Sequence, residues 1–229
     1  ICFMPWLNVS IYADGTARSC CFQEVKGGTN LAYNKSREKR EDLSLADNSV
    51  MEVFNSDSFK QIRLDFLQGT IPPSCKTCIE EEKKGIYSRR LYSNSFFPLT
   101  EEILRNSTHP DGGIIKPPAS LNIHFNTRCN LRCRICGPHN SSKWGEEYST
   151  MKKALPFVQD FPVINSSVAD NPQFWEQIKE LIPSLTSIYM IGGEPMLIKE
   201  HWEFIDYLID NHLSKDLYLN YNINMTYIP

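Results

Sequence analysis

The chain has 229 residues, 41% of them hydrophobic and 22% charged, enough apolar content for a packed core at an ordinary charge density. A net charge of −3 gives no support for the basic surface that general nucleic-acid binding uses. No apolar run approaches the ~18 residues of a bilayer span, and no basic stretch followed by an apolar one marks a signal peptide. The expectation is a cytoplasmic protein without nucleic-acid or membrane partners. The chain begins with Ile1, which leaves an upstream targeting segment open.

Three regions separate by composition. The first, residues 1–94, holds five of the eight cysteines. Residues 6–12 alternate in part and read as a strand. Asp14-Gly15 is a hairpin turn signal, and residues 16–20 read as the return strand. The mixed-charge run at 36–42 nearly cancels itself and reads as a solvated loop or helix face. Residues 49–68 predict one helix with Val53, Phe54, Phe59, Ile62, Phe66 and Leu67 on a broad face and Gly69 as its stop. Pro72-Pro73 then leads into Cys75-Lys76-Thr77-Cys78. The second region, 95–118, carries His109-Pro110-Asp111-Gly112-Gly113 and Lys116-Pro117-Pro118 and reads as a linker.

The third region, 119–229, alternates strand and helix. Strands are predicted at 121–126, at Ser187–Ile191 and at 217–221. Asn171 is placed to N-cap a helix with Pro172 at its first position and Phe174, Trp175, Ile178, Leu181 and Ile182 as its apolar stripe. A further helix at 197–212 is expected to bury Ile198, Trp202, Ile205 and Ile209. Alternation of this kind implies an α/β fold with parallel pairing and right-handed crossovers.

Just past the first of these strands lies Cys129-Asn130-Leu131-Arg132-Cys133-Arg134-Ile135-Cys136, a C-x3-C-x2-C spacing. The C-terminal edge of a parallel sheet is where loops build active sites. Three thiolates suit a [4Fe–4S] cube held at three irons, with the fourth open to another ligand. A structural zinc would need a fourth donor, for which His124 and His139 are near enough in sequence, although His124 reads better as an interior strand residue. Close Cys spacings of this kind fit ligation better than a disulfide framework.

These residues resemble the signature of the radical S-adenosylmethionine (SAM) superfamily, CxxxCxΦC, with Ile135 at the bulky Φ position where the family usually has an aromatic. Gly192-Gly193-Glu194, directly after the second strand, is similar to the family's GGE motif. The resemblance implies that Cys129, Cys133 and Cys136 hold a [4Fe–4S] cluster. It also implies that Ile135 packs near the adenine, and that Gly192, Gly193 and Glu194 hold the methionine moiety, Glu194 accepting from its ammonium. Asn222 and Asn224 could add SAM contacts or simply cap their loop. The implied chemistry is transfer of one electron to the SAM sulfonium and release of methionine. The resulting 5′-deoxyadenosyl radical takes hydrogen from a substrate, a peptide being the first candidate. A flavodoxin or ferredoxin is the implied electron donor.

Cys2-x12-Gly15-x4-Cys20 followed by Cys75-x2-Cys78 resembles the SPASM/Twitch domains that accompany some radical SAM enzymes. That likeness implies one auxiliary Fe–S cluster on Cys2, Cys20, Cys75 and Cys78, with Cys21 spare. A four-thiolate zinc site fits the same spacing on chemical grounds, so a zinc-stabilised interaction module without catalysis is the alternative. Two departures stand out: SPASM domains commonly follow the core, and only three core strands are present here. The expected fold is therefore the first half of a (β/α)6 radical SAM barrel at 119–229, truncated and preceded by a small α+β cysteine-rich domain at 1–94.

Overall fold

The computed structural model describes residues 1–24, 32–36, 39–155 and 167–227. Two compact units divide the chain: Ile1–Ile11 with Thr16–Leu121, and Tyr12–Gly15 with Asn122–Pro229. Among the described residues no helix is long and apolar enough to cross a membrane.

The first unit opens with a helical turn, α1 (Met4–Leu7), where a strand was expected from residue 6. Pro5 sets the φ of that turn, and the Trp6 indole N–H donates to Thr108 Oγ1 at 2.7 Å, so the turn is buried on every side. The strand β1 (Asn8–Ile11) follows and pairs antiparallel with β2 (Ala17–Arg18), Ser10 opposite Arg18 and Ile11 opposite Ala17. All four β1 residues are buried, the polar ones included. Asn8 Nδ2 donates to Ser10 Oγ and to the Ser19 carbonyl, both at 3.1 Å.

The charged run is neither loop nor helix at its described positions. Strands β3 (Tyr33–Ser36) and β4 (Lys39–Asp42) form an exposed antiparallel hairpin with Tyr33 opposite Asp42, and the Arg40 guanidinium sits 4.2 Å from the Tyr33 ring centre. Arg37 and Glu38 lie outside the described residues.

The single helix expected at 49–68 is two, α2 (Val50–Phe54) and α3 (Asp57–Leu67). Ser49 and Glu52 form a capping box on α2. The break at Asn55-Ser56 has a tertiary cause. Asn55 exchanges hydrogen bonds with Ile114, Nδ2 to its carbonyl at 2.9 Å and Oδ1 from its N–H at 3.0 Å, which draws the chain out of helical register. The apolar face holds nonetheless: Val53, Phe54, Phe59, Ile62 and Phe66 are buried. After Gly69, a short 3-10 turn (Pro73–Cys75) leads into α4 (Lys76–Lys83), followed by α5 (Arg89–Asn94) and α6 (Glu101–Ser107). Helix α6 lies within the stretch read as a linker. Its Leu104 is buried, and Asp111 pairs with Lys60 at 2.7 Å, so this stretch packs into the first unit.

One buried side chain ties these pieces together. Arg63 of α3 is wholly buried and donates to the carbonyls of Pro5 (2.8 Å), Gly112 (3.2 Å) and Phe54 (2.6 Å), with its face 4.6 Å from the Phe54 ring centre. Burial pushes its pKa down to about 9. Replacing Arg63 by Met leaves three buried carbonyls without donors and should cost about 3 kcal/mol or more. Arg63→Lys should recover little of this, because an ammonium cannot span three separated acceptors. Urea unfolding of the three forms measures it.

Strand β5 (Ser120–His124), which enters the second unit at Asn122, β6 (Ser187–Ile191) and β7 (Tyr218–Tyr221) lie side by side in that order. Strands β6 and β7 pair in parallel from Ser187 opposite Tyr218 to Met190 opposite Tyr221. Between β5 and β6 come α7 (Ser142–Ala154), which the periodicity did not announce, and α8 (Pro172–Leu181). Helix α8 is as expected: Asn171 accepts from the Gln173 N–H at 3.0 Å, and Phe174, Trp175, Ile178, Leu181 and Ile182 are buried. Helix α9 (Lys199–Asp210) is rotated from the expected face. Ile198, just before it, is buried, but within the helix His201, Phe204 and Leu208 point inward while Ile209 is exposed. The reason is the aromatic stack Phe125–Trp175–Phe204, with successive ring centres 5.5 and 5.4 Å apart, which recruits Phe204.

His201 is buried among Phe125, Trp202 and Tyr221, its Nε2 3.0 Å from the Tyr221 hydroxyl and its Nδ1 without a hydrogen-bond partner. Burial lowers its pKa from 6.5 to about 4 and raises that of Tyr221 to about 12. The unfolded chain therefore takes up the proton first. The contribution of neutral His201 is fully present above pH 6.5 and is lost as the pH falls toward 4. Replacing His201 by Gln should remove about 2 kcal/mol of acid sensitivity between pH 7 and pH 5, read as the difference in unfolding free energy between the two proteins.

Candidate metal and cofactor sites

The first unit brings Cys2, Cys20, Cys75 and Cys78 to the wall of one cavity. Each arrives on a different local device. Cys2 precedes α1, Cys20 follows β2, Cys75 closes the 3-10 turn and Cys78 lies in the first turn of α4, whose N-terminal dipole favours a thiolate. Gln23 fastens the hairpin end to the CxxC turn. Its Oε1 accepts from the Ser19 N–H and Oγ, each at 3.0 Å, its Nε2 donates to Ser74 Oγ at 3.0 Å, and the Glu24 N–H donates to the Ser74 carbonyl at 2.9 Å. Asn94 holds the other end, accepting from the Phe3 N–H at 2.9 Å and donating to the Ile1 carbonyl at 3.0 Å.

The thiols are costly to ionise as they stand. Burial pushes Cys2 up to about 11 and Cys75 to about 12, and each further thiolate nearby adds to the penalty. Hydrogen bonding between the neighbours Cys20 and Cys21 raises the Cys20 pKa and lowers that of Cys21. All eight cysteines are free thiols. Among the described residues no group of three or more His, Cys, Asp or Glu is placed to hold a single metal ion. Four soft thiolates around a cavity fit an iron–sulfur cluster. Cys21 is not among the lining residues. Arg89 and Arg90 are, and no spacing in the sequence pointed to them. Arg90 is engaged with Glu82 and the Ile1 carbonyl, whereas Arg89 leaves a buried Nε without a hydrogen-bond partner. Both carry positive charge suited to an anionic cluster.

The second unit brings the two other motifs together. Cys129, Cys133 and Cys136 share the loop after β5. Burial, and then the thiols of Cys133 and Cys129, push the pKa of Cys136 up. Helix α7 backs this loop: Ser141 Oγ donates to the Leu131 carbonyl at 2.7 Å, the Trp144 indole N–H to the Cys133 carbonyl at 2.9 Å, and the Ser142 N–H to the Thr127 carbonyl at 2.6 Å. Cys133 is exposed, and Ile135 faces solvent at 96% exposure. Three thiols with one open side fit a cluster that leaves one iron for another ligand. His124 stacks on Tyr12 at 4.4 Å and His139 is exposed.

Gly192 and Gly193 adopt positive φ of 86° and 59°. A Cβ on Gly192 would stand 2.9 Å from His124 Cα, and one on Gly193 would stand 2.3 Å from the Arg128 carbonyl oxygen. The close approach that glycine permits is thus to the strand and loop that carry the cysteines. The Glu194 N–H donates to that same Arg128 carbonyl at 2.8 Å. Glu194 itself is 1% exposed, with Oε1 accepting from the Met196 N–H at 3.2 Å and Oε2 from the Asn224 N–H at 2.5 Å. The Asn224 side chain reaches Cys129 Sγ at 3.7 Å, and the Asn222 N–H donates to the Met190 carbonyl at 3.1 Å.

Four cysteines on one cavity wall are a donor set that suits a metal ion or an iron–sulfur cluster. Residues 2–79, which bracket all four, match the family model SPASM, described as an iron-sulfur cluster-binding domain. Searches of curated proteins and of solved structures find no match.

The contact at Gly193 is the tightest in the second unit's site. Gly193→Ala should lower the melting temperature, costing about 2 kcal/mol or more from left-handed strain and the displaced Arg128 carbonyl. It should also reduce the iron retained by the full chain, while Gly85→Ala, which meets nothing within 4 Å, should leave iron unchanged.

Proposed function

We propose that the protein is a radical SAM enzyme with one auxiliary iron–sulfur cluster. The observation that carries this is the Arg128 carbonyl, which receives the Glu194 N–H one residue before Cys129 and so seats a GGE tripeptide against a C-x3-C-x2-C loop. The SPASM match supports the reading, since the family's clusters accompany such enzymes. In this reading β5, β6 and β7 are the first three strands of a (β/α)6 barrel.

Cys129, Cys133 and Cys136 would hold the SAM cluster, and Cys2, Cys20, Cys75 and Cys78 the auxiliary one. When bound, the SAM cluster supplies one electron for reductive cleavage of S-adenosylmethionine to a 5′-deoxyadenosyl radical. The chain's own residues do the rest. The backbone of Gly192 and Gly193 would receive the methionine end, with the buried Glu194 carboxylate bracing that turn through Met196 and Asn224, and Ile135, exposed on the cysteine loop, offers an apolar surface to the adenine. A peptide substrate and a flavodoxin- or ferredoxin-type donor complete the proposal.

The test is anaerobic purification of the full-length protein with iron, sulfide and zinc quantified, followed by reduction in the presence of SAM and chromatography of 5′-deoxyadenosine. Iron with sulfide and formation of 5′-deoxyadenosine are expected. Bound zinc without iron would leave a zinc-stabilised interaction module instead. Cys133→Ala should abolish 5′-deoxyadenosine formation. Cys75→Ala should lower total iron while the spectroscopic signal of the SAM cluster persists.

A further inference from the structure

We infer that Asn224 is a positioning residue that donates a hydrogen bond to the Cys129 thiolate and raises the reduction potential of the cluster bound there. The inference rests on the proposed cluster at Cys129, Cys133 and Cys136.

The side-chain amide of Asn224 has one orientation that satisfies its surroundings. Its Oδ1 accepts from the Thr226 N–H at 3.0 Å and from Thr226 Oγ1 at 2.6 Å. A backbone N–H can only donate, so the oxygen of the amide belongs on that side. The nitrogen is thereby turned toward the cysteine loop, where Nδ2 lies 2.9 Å from Asn130 Oδ1 and 3.7 Å from Cys129 Sγ. Asn130 returns a bond to Thr226 Oγ1 at 2.7 Å, which closes a ring of polar contacts between the two loops. With both ends of the amide engaged inside the protein, Asn224 is better suited to holding the cysteine loop than to touching SAM.

Cys129 Sγ has a second donor, the Leu131 N–H at 3.5 Å. That bond is local to the loop and travels with it. The bond from Asn224 comes from 95 residues away, on the segment after β7. The same residue gives its main-chain N–H to Glu194 Oε2. One residue thus holds a proposed cluster ligand with its side chain and the buried Glu194 of the glycine turn with its backbone.

A donor on a ligating sulfur draws electron density from it. It therefore favours the reduced, more negative form of the cluster, and hydrogen bonds to the sulfurs are among the protein's levers on iron–sulfur potentials. Asn224→Ala removes the side-chain donor while leaving the main-chain N–H on Glu194. Asn224→Asp is near-isosteric but aims an oxygen at the sulfur.

The experiment is an EPR-monitored redox titration of the anaerobically reconstituted full chain. The relevant cluster is identified as the one whose signal changes on adding SAM. Both variants should shift the midpoint to a more negative potential. A tenfold change in the reduction equilibrium, which is 59 mV for one electron, is the expected size. Unchanged potential at full iron content would overturn the inference. If Ala and Asp instead fail to retain the cluster, Asn224→Gln, which keeps an amide donor, decides. Recovery of iron by Gln but not by Asp upholds the donor role, and loss in all three overturns it in favour of shape alone. A wild-type chain that takes up no SAM-responsive cluster overturns the proposed function itself, an outcome distinct from an unshifted variant.

Discussion

The buried carboxylate of Glu194 is the constraint on which the second unit's site depends. A carboxyl group at 1% exposure is tolerated only where hydrogen bonds replace its water. Here the replacements are backbone N–H groups of Met196 and Asn224, and the residue's own N–H goes to the Arg128 carbonyl. The bond to Met196 is local to the glycine turn, while the bonds to Arg128 and Asn224 join the segment after β6 to those that follow β5 and β7. The cysteine loop, the glycine turn and the segment after β7 therefore cannot drift apart without leaving buried hydrogen-bonding groups unpaired. Gly192 and Gly193 are part of the same constraint, since any side chain there would push the two loops apart.

The first unit solves a different problem with a similar device. Its four cysteines lie at the ends of short elements that would scatter if left to local preference. Neutral and cationic side chains hold them in place. Gln23 bridges the hairpin end to the CxxC turn, Asn94 pins the chain around Cys2, and Arg63 draws α1, the end of α2 and the Gly112 loop onto α3. The result is a cavity whose buried thiols resist ionisation individually. A cationic metal centre bound there would remove that resistance.

Much of the fold was legible where its cause was local. Asn171-Pro172 announced α8 and its stripe, Ser187–Ile191 was read to its ends, and Asp14-Gly15 marked a turn with Gly15 at positive φ. Errors came where a distant partner overrode local pattern. Asn55 broke the 49–68 helix by bonding to Ile114, Trp6 turned into α1 to reach Thr108, and the aromatic stack on Trp175 rotated α9 so that Phe204 replaced Ile209 inside. Helix α7 was missed altogether, although it backs the cysteine loop through Ser141 and Trp144.

The sequence by itself determined the donor chemistry: which residues are thiols, and that C-x3-C-x2-C and CxxC keep them on short local segments, because a few residues of chain cannot separate them far. The tertiary structure decided which distant groups those turns meet. It chose Cys20 over the adjacent Cys21 for the cavity wall, brought Arg89 and Arg90 beside it, set Gly193 on the Arg128 carbonyl and turned the Asn224 amide toward Cys129. Such pairings are fixed by strand order and by the need to satisfy buried polar groups, and neither is written in the local spacing of residues.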